Sequence, residues 1–107
     1  MQFRELSSNE LVEGYTLLNT HRIDLSEDDF LAYIATHHPQ TYRPIGAYAR
    51  GELTVYAGVS LHENLELGHY LLIDDLVAHQ DNTRYVREMI DYLCDYAKMH
   101  KCTSIIV

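Results

Sequence analysis

Apolar and polar residues alternate from Gln2 to Leu6, a short period-two run that predicts an opening strand. It meets Ser7-Ser8-Asn9-Glu10, where Ser7 and Glu10 have the spacing of a capping box and predict a helix start. Leu11, Val12, Tyr15 and Leu18 then recur at helical spacing to about Asn19. A polar connection around His21 to Asp24 leads to a second start signal, Ser26-Glu27-Asp28-Asp29, and Phe30, Leu31 and Ile34 give the second helix its buried face. His37-His38-Pro39 ends that helix, because proline steers the residue before it away from helical geometry.

Ile45 to Ala49, the reversal Arg50-Gly51-Glu52, and Leu53 to Leu61 predict an antiparallel hairpin, with Gly51 free to take a positive φ. Leu53, Val55, Ala57, Val59 and Leu61 share one face of the second arm, while Thr54, Tyr56 and Ser60 share the other. Gly58 marks a bulge or a close backbone approach. His62-Glu63-Asn64 reads as a loop. Tyr70 to Ala78 is an apolar strand interrupted by Asp74-Asp75, with the near-continuous hydrophobicity of a strand covered on both faces.

The clearest helix follows from Thr83 to His100: Val86, Met89, Ile90, Leu93, Cys94 and Ala97 form one stripe. Asp81, Asn82 or Thr83 supplies its cap, and Lys98, His100 and Lys101 complement its dipole. Tyr85, Tyr92 and Tyr96 lie on its flank and read as semi-buried packing with phenols reaching water. Ser104 to Val107 is a last strand, parallel to Tyr70–Ala78 through the helical crossover.

A chain of 107 residues, 47% of them apolar, fits one core and one domain. Sixteen acidic against eight basic residues give a net charge of −8, a surface that repels phosphate backbones and anionic membranes and suits a cationic partner. No apolar run of membrane-spanning length and no secretion segment is present, so a cytoplasmic protein is expected. Cys94 and Cys102 form no CxxC motif and read as two reduced, packed thiols. His21, His37, His38 and His79 have no metal-ligand spacing, and no nucleophile elbow or Walker loop occurs.

The order β-α-α-β-β-β-α-β, with Asp75-Leu76-Val77 before the long helix and Arg84, Leu93, Ala97 and Cys102 in register, resembles the GNAT superfamily of acyl-CoA-dependent N-acetyltransferases. The resemblance covers essentially the whole chain but lacks the last helix and hairpin of that fold. It implies an α/β (α+β) architecture, a mixed and largely antiparallel sheet flanked by helices on both faces. It also implies acetyl transfer from acetyl-CoA to a small amine, with backbone groups of Leu76, Val77 and Ala78 along the pantetheine arm. The pyrophosphate would lie at Arg84-Tyr85-Val86-Arg87-Glu88-Met89, where the family has Arg/Gln-x-x-Gly-x-Gly/Ala.

Aligning Arg84 with the leading arginine puts Arg87 and Met89 at the two glycine positions. Glycines let backbone amides approach a phosphate and reach conformations closed to other residues. Their replacement predicts an acetyltransferase weakened or inactive, or a non-catalytic binding module on the same fold. Arg87 either meets a phosphate with its guanidinium or pairs with Asp91, and Met89 falls on the core stripe. Asp74 and Asp75 are candidates for the base that deprotonates the amine, or are structural; as strand neighbours they are expected on opposite faces. The apolar edge at Ser104 to Val107 predicts a homodimer or a partner chain that covers it.

Overall fold

The computed structural model describes residues 1–21 and 24–107, so the connection expected across Arg22 and Ile23 lies outside the described residues. One sheet carries the strands in sequence order: β1 (Gln2–Glu5), β2 (Arg43–Ala49), β3 (Glu52–Asn64), β4 (Gly68–Ala78) and β5 (Ser104–Ile106). The first three pairings are antiparallel and β4–β5 is parallel. Two helices, α1 (Leu11–Leu18) and α2 (Glu27–His37), pack on one face, and α3 (Thr83–Met99) packs on the other. This is the mixed, largely antiparallel sheet with helices on both faces that the resemblance implies. No helix among the described residues is long and apolar enough to cross a membrane.

Two cores follow from the period-two alternation of the strands. Ile45, Ala47, Val55, Ala57, Val59, Leu71 and Ile73 meet Met89, Leu93, Tyr96 and Ala97 of α3. On the other face Tyr42, Tyr48, Tyr56 and Val77 meet Leu17, Leu18, Phe30 and Ile34. The hairpin turns through Arg50 and Gly51, both at positive φ (54° and 81°), as a two-residue primed turn requires. Ser26 caps α2 by accepting the Asp29 N–H at 3.1 Å, and His38, extended before Pro39, ends it.

Several local expectations change. His62, Glu63 and Asn64 are the end of β3, paired with Tyr70, His69 and Gly68, so polar side chains there mark a solvated strand end instead of a loop. On α1 the buried residues are Gly14, Leu17 and Leu18, and Val12 is exposed. On α3 the buried seam runs through Met89, Leu93, Tyr96 and Ala97, which leaves Cys94 exposed while Cys102 is buried; both are free thiols. Tyr96 does not reach for water. Its hydroxyl donates to Glu5 at 2.8 Å and accepts from Arg43 at 3.0 Å, tying α3 to β1 and β2, and burial pushes its pKa up to about 12.

The β1–α1 corner is closed by charge. Glu10 accepts the Ser7 backbone N–H at 3.0 Å, completing the capping box, and takes Arg4 Nη2 at 2.6 Å. The Arg4 guanidinium and the Ser7 N–H hold the Glu10 carboxyl at about 2, against an ordinary 4.5. A depressed folded-state pKa adds stability at pH above the unfolded value and loses it as pH falls through the folded one. Acid titrations of stability should therefore show Glu10→Gln less stable than the parent above pH 4.5, with the difference vanishing as pH falls through about 2.

Candidate active site

The site is created by one extra residue in β4. Gly58 pairs with Asp75 and Val59 with Ile73, so Asp74 has no partner on β3 and forms a bulge. Past a bulge the side-chain alternation shifts by one. Asp75 therefore lies on the face of Tyr56 and Gly58, and Asp74 reaches Ser60 on that same face. This corrects the expectation of opposite faces: both carboxylates line one cleft, together with Leu18, Leu25, Asp29, Phe30, Tyr33 and Tyr42. The cleft holds about 430 Å³.

Each carboxylate is oriented by a hydroxyl donor. Tyr42 donates to Asp75 Oδ2 at 2.8 Å and accepts from the Tyr56 hydroxyl at 2.8 Å. Ser60 lies 2.8 Å from Asp74 Oδ2, and His62 Nε2 lies 2.7 Å from the same serine oxygen. Burial, then the neighbouring Tyr56 and Asp75, raise the Tyr42 pKa far above an ordinary tyrosine, so its phenol remains a donor. Gly58 makes this arrangement fit: a Cβ there would collide with the ring and hydroxyl of Tyr42. Tyr33 meets Tyr42 edge-on at 5.2 Å, and Phe30 meets Tyr56 edge-on at 6.0 Å, so the cleft wall is an aromatic layer.

The sequence reading finds Asp74 and Asp75 but misses Tyr42, Ser60, His62, Asp29 and Tyr33. A signal for two of these was available. Tyr56, Ser60 and His62 stand at even spacing on β3 and so share a face once the strand is extended through His62.

Beyond the bulge β4 ends at Ala78, and a turn at His79–Asp81 leads into α3, with Gln80 and Asp81 both in the left-handed region at φ 54° and 53°. Arg84 to Met89 all lie inside the helix. Asn82 is the cap: its Oδ1 accepts the N–H groups of Arg84 at 3.0 Å and Tyr85 at 3.2 Å, and its carbonyl accepts Val86 N–H at 3.1 Å. Arg84 is exposed and pairs with Glu88 at 3.7 Å. Arg87 is exposed and forms no ion pair with Asp91 among the described residues. Met89 is fully buried under the sheet.

These positions test the coenzyme that the resemblance implies. β5 pairs with β4 only from Tyr70 to Leu72, so beside Leu76, Val77 and Ala78 that edge of β4 has no strand neighbour among the described residues. A pantetheine arm suits such an edge. A diphosphate does not suit the helix start, because the amides of Arg84 and Tyr85 already serve Asn82.

Two substitutions probe these contacts. Tyr42→Phe removes the donor to Asp75 and strands the fully buried Tyr56 hydroxyl, so it should cost about 1–3 kcal/mol in chemical denaturation. Asn82→Ala should cost about 1 kcal/mol in thermal unfolding, the loss of one helix cap.

No family model and no curated protein matches this sequence. Solved structures do. A ribosomal-protein-alanine N-acetyltransferase from Brucella melitensis is similar at a TM-score of 0.80 and 19% identity, over 99% of this chain and 78% of that one. A GNAT family acetyltransferase from Staphylococcus aureus gives 0.82 at 15% identity, over 98% and 83%. Glucosamine-6-phosphate N-acetyltransferase from Arabidopsis thaliana gives 0.74 at 14%, over 98% and 79%. The strand order, the helix on each face and these superpositions agree that this chain has the GNAT acetyltransferase fold.

Proposed function

We propose that the cleft at the β4 bulge binds the ammonium group of a small primary amine, and that acetyl transfer is weakened because Asn82 holds the amides a coenzyme diphosphate would use. The observation that carries this reading is the placement of Asp74 and Asp75 in a single aromatic-walled cleft. An ammonium has three donors, enough to meet both carboxylates at once, and Asp29 adds a third negative group at the rim. The faces of aromatic rings attract a cation by about 0.5–2 kcal/mol more. A neutral or anionic ligand gains nothing from three aspartates. The similar structures named above are acetyltransferases, two of them named for an amine acceptor, which supports the same ligand chemistry.

The coenzyme end supports only weak binding. Its strand edge is available, but its helix amides are bonded and the positions aligned with the family's glycines carry Arg87 and Met89. The chain thus keeps the amine half of the fold in better order than the acyl half.

Thermal unfolding with two ligands separates these halves. Benzylamine at a hundred times its dissociation constant should stabilise the protein by about 2.7 kcal/mol, benzyl alcohol should not, and Asp75→Asn should abolish the effect. Acetyl-CoA at millimolar concentration should leave the melting temperature unchanged. A cleft indifferent to benzylamine, or a rise of several degrees with acetyl-CoA, overturns the reading.

A further inference from the structure

Ser60 is 2% exposed, yet its hydroxyl oxygen has a polar partner on either side: Asp74 Oδ2 at 2.8 Å and His62 Nε2 at 2.7 Å. A serine hydroxyl has one proton to give. When it gives that proton to Asp74, Nε2 of His62 must carry hydrogen and donate to Ser60. When Asp74 is protonated and donates to Ser60, the serine turns its hydrogen to a bare Nε2. The same heavy-atom positions serve both arrangements, and they differ only in where the protons sit.

The ends of this row lie in different surroundings. Both ends are exposed, but Asp74 lines the cleft, whereas His62 stands outside it and stacks on Tyr70, with ring centroids 5.2 Å apart and planes within 19°. A ligand that fills the cleft shuts Asp74 off from water on that side. The row through the sheet surface stays open.

We propose that Ser60 and His62 form a proton outlet for Asp74, rejecting to solvent outside the cleft the proton that a bound ammonium gives up. The inference rests on the amine reading of the cleft. One N–H bond of the ammonium breaks and an O–H bond forms on Asp74. As Asp74 takes the proton, the water-exposed imidazole of His62 exchanges its Nε2 hydrogen for one on Nδ1; the carboxyl then passes its hydrogen to Ser60 Oγ as the serine passes its own to the bared Nε2, and the imidazolium loses its Nδ1 proton to water, which restores the starting arrangement. The sum is ammonium plus water giving amine plus hydronium, with no other reactant. Ser60 and His62 act through Asp74 and are positioning residues.

The charged and titratable groups around the row are Asp75, Tyr42 and Tyr56 beside Asp74, Asp29 and Tyr33 facing it from α2, Tyr70 against His62, and the Glu63–His69 pair next along the hairpin. None of these bonds Ser60; among the described residues only His62 connects to Asp74 through it. The outlet is therefore read by NMR as a coupling: the Asp74 side-chain carbon should show an inflection at the pH where the His62 ring titrates.

Ser60→Ala should remove that inflection, His62→Gln should remove it too, and Ser60→Thr, which keeps the hydroxyl, should restore it. If Ser60→Ala does not fold, the His62→Gln comparison decides alone. An Asp74 titration blind to His62 while benzylamine still binds overturns the outlet alone. A coupled titration with no benzylamine binding overturns the amine reading and, with it, the outlet's task.

Discussion

The bulge at Asp74 is the constraint on which both layers of this molecule depend. Leu71 and Ile73 face α3. Uninterrupted alternation would send Asp75 and Val77 to that face as well, setting a carboxylate among Met89, Leu93 and Ala57 with no donor near it. Burying an unpaired carboxylate costs far more than a bulge. The extra residue instead hands the α3 core to Leu76 and Ala78 and turns Asp75 and Val77 toward α1 and α2. One insertion thus keeps an apolar core intact and brings two acids together on the opposite face.

That opposite face is stiff because the groups that orient its carboxylates are also its packing groups. Tyr42 and Tyr56 are buried members of the α1/α2 core, and the same two phenols carry the hydrogen bonds that orient Asp75. Gly58 sits directly across from Asp75 and leaves the space that the Tyr42 ring fills. A side chain at Gly58 would disturb packing and site together, since each is the other's support. The cleft geometry is then set by the core and needs no ligand to assemble it.

Repetition made the architecture legible. The stripes of α2 and α3, the capping box at Ser7 and Glu10 and the alternation through Leu53 to Leu61 each repeat a signal over several residues, and the sheet order follows from them. The site was legible only as two adjacent aspartates. A bulge has no side-chain signature, because it is a slip in pairing between strands, so strict alternation assigned Asp74 and Asp75 to opposite faces. His62 was lost for a related reason: hydrophobicity says where a strand is buried, whereas backbone pairing with Tyr70 continues past that point into water. Tyr96 failed through long range, its partners Glu5 and Arg43 being remote in sequence.

The bulge in β4 and the helix start that follows the strand differ in what holds their residues in place. At the bulge, changing Tyr42 or Gly58 disturbs the core, so the cleft cannot change without a penalty to folding. At the start of α3, Asn82 lies at the protein surface and its cap stabilises the helix by about 1 kcal/mol, which works in the opposite direction from ligand binding. A diphosphate entering there must first displace Asn82 Oδ1 from two amides, and about 1 kcal/mol is roughly a fivefold loss of affinity. That amount weakens a site without closing it. The turn before it adds a second cost, since Gln80 and Asp81 hold left-handed conformations that glycine would take more cheaply. Folding stability therefore protects the cleft and, at the helix start, opposes any anion that competes with Asn82.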